Sequence, residues 1–204
     1  MSNILIEKEL GRRQHDFYET PPHYVRALLK HIEIHARYSI YEPCIGDWSI
    51  VNELPPARKL GTIFTNDIDS LRVAIFTNDI DSLRVADTHF DATKAEAWQD
   101  WYGTNGVLDW CITNPPFSAE LPILQHALAH SVRVAFLARL SFLEPTADRR
   151  SLLETKPPAM IIVLPRYSFR NNDAGKRQTD NVTCCWMVWG PDVKRGIFVE
   201  GARA

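Results

Sequence analysis

The 204 residues predict an α/β fold: a mostly parallel sheet of seven strands with helices on both faces. Two observations support this prediction. Short apolar segments alternate with segments whose apolar residues recur at helical spacing. Several apolar segments, such as AMIIVLP (159–165) and VTCCWMVWG (182–190), have the continuous hydrophobic character of strands buried on both faces. We interpret the chain as a single domain, with one half at about 17–106 and the other at about 107–204.

The predicted elements follow one another at regular intervals. TPPHYVRALLKHI (20–32) shows a helix start, because a threonine and two prolines precede an amphipathic run. The further predicted helices are 49–54, 94–103, 118–131 and 145–156. The further predicted strands are 37–42, one copy of IFTND, a short segment before FDAT, 107–113 and 132–140.

Composition is that of a globular protein without a membrane span. The chain is 45% hydrophobic and 24% charged, and no apolar run approaches the roughly 18–20 residues of a membrane helix. The N-terminus lacks a signal-peptide pattern, and the four cysteines lack paired metal-ligand spacing, so we expect a cytoplasmic protein with reduced thiols. The histidine pairs at i,i+4 spacing lack a third ligand, so no metal site is predicted.

Charge is unevenly distributed along the chain. The net charge is −2, yet residues 131–204 carry 12 Lys/Arg against 7 Asp/Glu. Such a basic part can face a polyanion, or it can be scatter of surface charge.

Polar segments follow every predicted strand of the N-terminal half: EPCIGD, TNDID, FDAT and NPPF. In parallel α/β sheets, ligands bind at the carboxyl ends of the strands. The sequence therefore places its candidate chemistry along one edge of the sheet.

Asn114-Pro115-Pro116-Phe117 is the most specific of these segments. The two prolines fix the backbone and remove two N–H donors, so the carbonyls there cannot all be satisfied by a regular ladder. Asn114 adds a side-chain acceptor to the main-chain acceptors. Two acceptors suit a planar NH2 group, and Phe117 offers a flat base a stacking surface. The alternative is a strand-terminating turn with Asn114 as a cap and Phe117 in the core.

With this motif, the chain resembles the S-adenosylmethionine-dependent amino methyltransferases, especially the DNA adenine-N6 enzymes, whose hallmark is Asn/Asp/Ser-Pro-Pro-aromatic after the fourth strand. YETPP (18–22), YEPCIGD (41–47), TNDID and FDAT (90–93) resemble the family's other motifs and follow in its order. Cofactor motifs before the catalytic motif are the order of the gamma group. The resemblance covers roughly residues 17–118 and implies a Rossmann-like class I methyltransferase fold with S-adenosylmethionine as cofactor.

The resemblance also implies roles for individual residues. Asn114 and the Pro115 carbonyl would hold the substrate amine, Pro116 would help fix the turn, and Phe117 would stack on the base. The implied cofactor-binding residues are Tyr18, Thr20, Glu42, Cys44, Gly46, Asp91 and either Asp79 or Asp67. Phe169 lies where the family has a second stacking residue, with a core position as the alternative. Basic residues that could contact DNA phosphates are Arg149, Arg150, Arg170, Lys176 and Arg177.

The resemblance implies methyl transfer to the N6 amine of adenine in DNA, with the target base flipped out of the duplex. We expect no separate target-recognition domain, hence short or relaxed specificity, as in phage-like enzymes. Three alternatives remain open. The same site could serve adenine in RNA or a protein glutamine, and the chain could instead be a silent module that binds nucleic acid or cofactor. Trp48 favours the silent module, because it replaces the second glycine of the family's first loop.

The segment IFTNDIDSLRVA occurs twice in succession, at 63–74 and 75–86. It reads as the second strand, its acidic end and the exit loop, and one sheet position can take only one copy. If 75–81 is used, the surplus copy precedes the strand, away from the site, so we favour Asp79 over Asp67 as the ribose ligand. We expect the surplus copy to be a looped excursion or an intermolecular strand, which would make a homodimer.

Overall fold

The computed structural model describes residues 19–35, 38–54, 57–59, 73–83, 85–99, 107–166, 170–171, 177–178 and 182–201. Its helices are α1 (Pro22–Leu29), α2 (Glu120–His130) and α3 (Ala147–Thr155). A helical turn covers 96–99. Short 3₁₀ helices lie at Val51–Glu53, Phe117–Ala119 and Leu140–Leu143. No helix in these ranges is long and apolar enough to cross a membrane.

Ten strands occur in the described ranges: β1 (Ser39–Glu42), β2 (Ala57–Lys59), β3 (Val73–Thr77), β4 (Leu108–Thr113), β5 (Ser131–Arg139), β6 (Met160–Val163), β7 (Arg170–Asn171), β8 (Arg177–Gln178), β9 (Cys184–Trp189) and β10 (Gly196–Val199). Eight form one sheet in the order β10-β6-β9-β5-β4-β1-β3-β2, and β7 pairs with β8 separately. Neighbours in the large sheet are parallel, except that β9 is antiparallel to β5 and β6. The mostly parallel sheet is confirmed.

The number of strands differs from the predicted seven. The strand expected before FDAT is absent, since Thr88 makes only an isolated bridge to Asn78. β2 and β10 were not expected, because three or four residues give no periodic signal. They are strands because β3 and β6 provide parallel partners.

The core lies on both faces of the sheet, as the continuous apolar strands predict. Successive β4 residues point to opposite faces. Trp110 and Ile112 join a buried cluster with Leu28 of α1, whereas Cys111 joins a second cluster with Leu124 of α2. α1 and α2 therefore cover opposite faces, which leaves the strand ends accessible for a site.

The second copy of the repeat provides the strand beside β1. β3 joins the last two residues of the first copy to 75–77 of the second, and Ile75, Phe76 and Thr77 pair with Ile40, Tyr41 and Glu42. The favoured register is thereby confirmed, and the surplus precedes the strand. The first copy up to residue 72 lies outside the described residues, so its predicted looped or intermolecular form stays a prediction.

The repeat also has a topological consequence. β2 is parallel to β3, and a parallel pair needs a crossover connection of about a dozen residues. Residues 60–72 connect the two strands. With a single copy of the repeat, only residues 60–62 would separate β2 from the segment IFTND. Three residues are too few to connect two parallel neighbouring strands.

Candidate active site

Four neighbouring parallel strands end at one edge of the sheet, which we call the carboxyl edge. Their spatial order is β3, β1, β4, β5. The segments that leave them begin at Asn78, Pro43, Asn114 and Leu140, respectively. The structure thus brings three of the four predicted polar segments to the ends of adjacent strands.

The loop after β1 is tied to the end of β3. Gly46 has φ of 55°, a left-handed conformation that favours glycine. Its N–H donates to Asp79 Oδ2 at 2.8 Å, and the Ile45 N–H donates to the Asn78 carbonyl at 3.0 Å. Gly46 and Asp79, both predicted as cofactor-binding residues, are therefore in direct contact.

Glu42 is a buried carboxyl group at the end of β1, with 1% of its surface exposed. Its Oε1 accepts the Cys44 N–H at 3.1 Å, whereas its Oε2 makes no hydrogen bond. Burial, and to a smaller extent the nearby Asp79, raises the pKa of Glu42 to about 8, against the lowering effect of the Thr113 hydroxyl and the Cys44 N–H. A cation that reached Oε2 would stabilise the charged form.

Asn78 connects three segments of the carboxyl edge, a role that the sequence analysis missed. Its fully buried side chain donates to the carbonyls of Pro43 and Phe90, at 3.0 and 2.9 Å. Its Oδ1 accepts the Thr88 hydroxyl and the Phe90 N–H, both at 2.8 Å. The only sequence signal is an Asn directly after an apolar strand, which is equally typical of a turn.

Asp79 and Asp91 both accept hydrogen bonds from the segments in which they lie. Asp79 Oδ1 accepts the Asp81 N–H at 2.9 Å, and Asp91 Oδ1 accepts the N–H and hydroxyl of Thr93 at 2.9 and 2.7 Å. Burial raises the pKa of the Cys44 thiol, and the carboxyl groups of Glu42, Asp79 and Asp91 raise it further. The three acids are therefore near enough to Cys44 to affect its ionisation.

Trp48 keeps the backbone conformation of a glycine. Its φ is 69°, and its partly buried side chain packs against the core cluster that contains α1. The left-handed region costs a non-glycine residue roughly 1–2 kcal/mol. The indole therefore packs on the core side of the loop.

Asn114 follows β4 and contacts the N-terminal segment. Its Nδ2 donates to the hydroxyl of Thr20, a buried residue, at 3.0 Å. The Pro116 carbonyl accepts the Ala119 N–H at 2.9 Å and opens the 3₁₀ helix. Pro115 is buried, and its carbonyl accepts no hydrogen bond from the part of the chain that the structure describes. Thr20 and Asn114 were both predicted for the site, and the structure joins them.

Phe117 lies against Arg139, the last residue of β5. The guanidinium carbon of Arg139 is 3.9 Å from the centre of the Phe117 ring. The sequence analysis missed Arg139; the available signal was a charged residue at the end of the buried run 134–138. The predicted stacking surface is thus in contact with a flat cation in this structure.

Among the predicted phosphate contacts, Arg149 contacts the segment that leaves β5, because it donates to the Ser141 carbonyl at 3.0 Å as well as to Thr146 Oγ1. No described contact brings Arg150 to the carboxyl edge; it pairs with Glu154 at 2.8 Å. Arg170 and Arg177 lie in the β7–β8 pair, without described side chains. Tyr18, Asp67, Phe169 and Lys176 lie outside the described residues.

The donor and acceptor set of the carboxyl edge is acidic and oxygen-rich. It contains a buried carboxyl oxygen on Glu42 that makes no hydrogen bond, and further acidic groups on Asp79 and Asp91. Such groups suit a ligand that carries an ammonium, hydroxyls and an exocyclic amine. Within the described ranges, no group of three or more His, Cys, Asp or Glu residues could hold a metal ion.

No protein-family model matches the chain, and no curated protein matches it. Solved structures match in fold. One is named as the modification subunit of a type I restriction enzyme from Vibrio vulnificus YJ016; it is 14% identical, with a TM-score of 0.59 over 94% of this chain and 49% of that one. The type I restriction-modification methyltransferase subunit from Streptococcus thermophilus is 13% identical, with a TM-score of 0.55 over 89% and 47%.

A third similar structure is named as a class I S-adenosylmethionine-dependent methyltransferase from Listeria monocytogenes. It is 15% identical, with a TM-score of 0.54 over 86% of this chain and 61% of that one. The chain spans about half the length of the two restriction-system subunits. These likenesses show that the chain has the Rossmann-like fold of the class I S-adenosylmethionine-dependent methyltransferases.

Proposed function

We propose that this chain transfers a methyl group from S-adenosylmethionine to the N6 amine of adenine in DNA. One observation carries the proposal: Asn114, oriented by Thr20 and followed by the buried Pro115, lies at the carboxyl edge beside the Glu42–Gly46 loop. The amide oxygen of Asn114 and the peptide carbonyl of Pro115 would together accept the hydrogens of an NH2 group.

The acidic groups of the carboxyl edge fit the proposed cofactor. Glu42 Oε2 would pair with the ammonium group, Asp79 would accept from the ribose hydroxyls, and Asp91 would accept from the adenine amine. The left-handed Gly46 has no side chain to obstruct close approach. When bound, S-adenosylmethionine supplies an electrophilic methyl group on its sulfonium.

The chain's own residues act by orientation. Asn114 Oδ1 and the Pro115 carbonyl would accept the two hydrogens of the substrate amine, which directs the nitrogen lone pair out of the ring plane. Phe117 would hold the base by stacking. Catalysis is then positioning, with no covalent intermediate on the enzyme. The proton released from the methylated nitrogen passes to water, because neither an amide nor a peptide carbonyl is a base.

DNA is the proposed substrate because both the sequence motif and the names of the structures with a similar fold favour it. The Asn-Pro-Pro-Phe segment resembles that of adenine-N6 enzymes, and two of the similar structures are named as a type I restriction enzyme's modification subunit and a type I restriction-modification methyltransferase subunit. A base inside a duplex cannot reach a site at the carboxyl edge, so the proposal includes base flipping. The proposed specificity is short or relaxed.

Methyl-labelled cofactor separates the proposed substrate from its alternatives. The wild-type protein is incubated with duplex DNA, adenine-containing RNA or a glutamine-containing release-factor protein, and label is counted in each. We expect label in DNA. Label confined to RNA or to the protein substrate assigns the activity to those substrates, and cofactor binding without any transfer identifies a silent module.

A further inference from the structure

Arg139 has a fixed place beside the proposed catalytic motif. β5 pairs with β4 on one side and β9 on the other, and Arg139 itself pairs with Cys184. The preceding residues 134–138 are buried, so the backbone at Arg139 is held by the sheet. From this position its guanidinium carbon lies 3.9 Å from the centre of the Phe117 ring.

The hydrogen bonding of Arg139 is incomplete. Its Nε is buried and has no hydrogen-bond partner. In the described ranges Arg139 also makes no ion pair. An unpaired buried donor is unfavourable, more so in a charged group, because the lost hydration of the N–H is not compensated. Such a donor is available to an acceptor that reaches it.

Arg133 on the same strand provides an internal comparison. Its guanidinium also lies over an aromatic ring, 4.8 Å from the centre of Tyr38. Unlike Arg139, it donates from Nε and Nη2 to the two carboxylate oxygens of Asp192, at 2.8 and 2.6 Å. The arginine at the edge remote from the site thus has carboxylate partners, whereas the one at the carboxyl edge has a buried donor without an acceptor.

We infer that Arg139 occupies the stacking face of Phe117 only until substrate binds, and that it then yields this face to the target base and pairs with a DNA phosphate. The inference rests on the proposed function, because it takes Phe117 as the stacking residue. A planar guanidinium covers the ring in the way that a base would.

The energies favour this exchange. A cation–π contact is a modest attraction, and the unpaired Nε–H offsets part of it, so the contact is weak overall. Stacking of a base on an aromatic ring is a favourable interaction that can replace it. The displaced guanidinium gains charge-assisted bonds to a phosphate, for which its planar fork is well suited.

The Nε–H proton of Arg139 reports the contact directly. In a ¹H–¹⁵N spectrum of arginine side chains, the Arg139 signal is assigned as the one that disappears in the variant Arg139→Lys. We expect a ring-current shift that Phe117→Leu abolishes. A 12-mer of deoxyadenosine should remove the shift, whereas a 12-mer of abasic deoxyribose phosphate should not. Binding of each oligonucleotide is confirmed by fluorescence polarisation.

Salt dependence tests the phosphate contact. For single-stranded DNA, the plot of log affinity against log salt concentration has a negative slope, and each phosphate contact makes it steeper by about 0.7. We expect Arg139→Ala to make the slope shallower by about that amount and Arg139→Lys to leave it unchanged. Arg195→Gln removes an exposed charge just before β10, at the opposite edge of the sheet, and should leave the slope unchanged.

The inference about Arg139 and the proposed methyltransferase activity are contradicted by different results. If the bound deoxyadenosine oligonucleotide leaves the Arg139 signal unchanged, or if the abasic oligonucleotide moves it equally, Arg139 does not yield to a base. An unaltered salt slope in Arg139→Ala would exclude the phosphate contact. Absence of methyl transfer by the wild type would instead refute the proposed activity, because neither the spectra nor the slopes need turnover.

Discussion

A hydrogen bond of 3.0 Å joins the side-chain amide of Asn114 to the hydroxyl of Thr20, across 94 positions of the sequence. Thr20 is buried and lies just before α1. Because Asn114 donates through Nδ2, its carbonyl oxygen is turned away from Thr20. The N-terminal segment thereby sets the direction of the proposed catalytic acceptor.

Thr20→Val should lower the rate of methyl transfer roughly tenfold, since a loss of about 1.4 kcal/mol of transition-state stabilisation corresponds to that factor. Valine keeps the shape but removes the acceptor, so the Asn114 amide loses its orientation. Thr20→Ser keeps the hydroxyl and should retain most activity. Single-turnover rates measure the effect; equal rates for both variants would show that Thr20 does not orient Asn114.

Glu42 should make stability fall as pH rises from about 4.5 to 8. Its pKa is about 8 in the fold against an ordinary value of 4.5. Between these values the unfolded chain releases a proton that the folded chain keeps. Stability is therefore lost with rising pH, at a slope that approaches 1.4 kcal/mol per pH unit. Urea unfolding of wild type and Glu42→Gln across this range should show the difference.

Glu42→Gln is the matched variant, since glutamine retains an acceptor for the Cys44 N–H without titrating. Its advantage over the wild type should grow with pH. Cofactor affinity should behave in the opposite sense in the wild type, rising towards pH 8 because an ammonium favours the ionised carboxyl. Parallel stability curves would show that Glu42 does not titrate in this range.

Trp48→Gly should be more stable than Trp48→Ala by about 1 kcal/mol. Both variants lose the packing of the indole on the core, but only glycine relieves the φ of 69°. Elsewhere in a chain, glycine is usually the less stable of the two. Thermal unfolding of Trp48→Gly and Trp48→Ala measures this difference in stability. An alanine variant as stable as the glycine variant would mean that position 48 is not left-handed.

The two repeat copies should differ in their importance for the cofactor. Asp79 contacts the Gly46 loop, so Asp79→Ala should lower S-adenosylmethionine affinity at least tenfold by calorimetry. Asp67→Ala changes the identical position of the other copy, which contributes only Val73 and Ala74 to β3, and should have little effect. Equal losses in the two variants would show that neither register holds the ribose.

The strand ends were predictable because their chemistry is local. Asn114-Pro115 cannot continue a ladder, and TNDID ends an apolar run in acids, so each signals a site without knowledge of its neighbours. Parallel topology then brings these segments to one edge. The helices α1, α2 and α3 were predictable for a similar reason, from spacing and prolines within each segment.

Pairing over long distances was not predictable from local patterns. β2 exists because β3 accepts it as an edge partner, and the Arg139–Phe117 contact exists because β5 ends beside β4. Register was a special case, since identical copies carry identical local signals. Only the position of the surplus relative to the carboxyl edge distinguished Asp79 from Asp67.

The central proposal is that Asn114 directs methyl transfer to the N6 amine of adenine in DNA. Its most direct test is mass spectrometry of nucleosides from duplex DNA treated with S-adenosylmethionine and either wild type or Asn114→Ala. We predict N6-methyladenine with the wild type and at least a hundredfold less with Asn114→Ala, which should still bind the cofactor. Equal N6-methyladenine from both proteins, or none from a wild type that binds cofactor and DNA, would contradict the proposal.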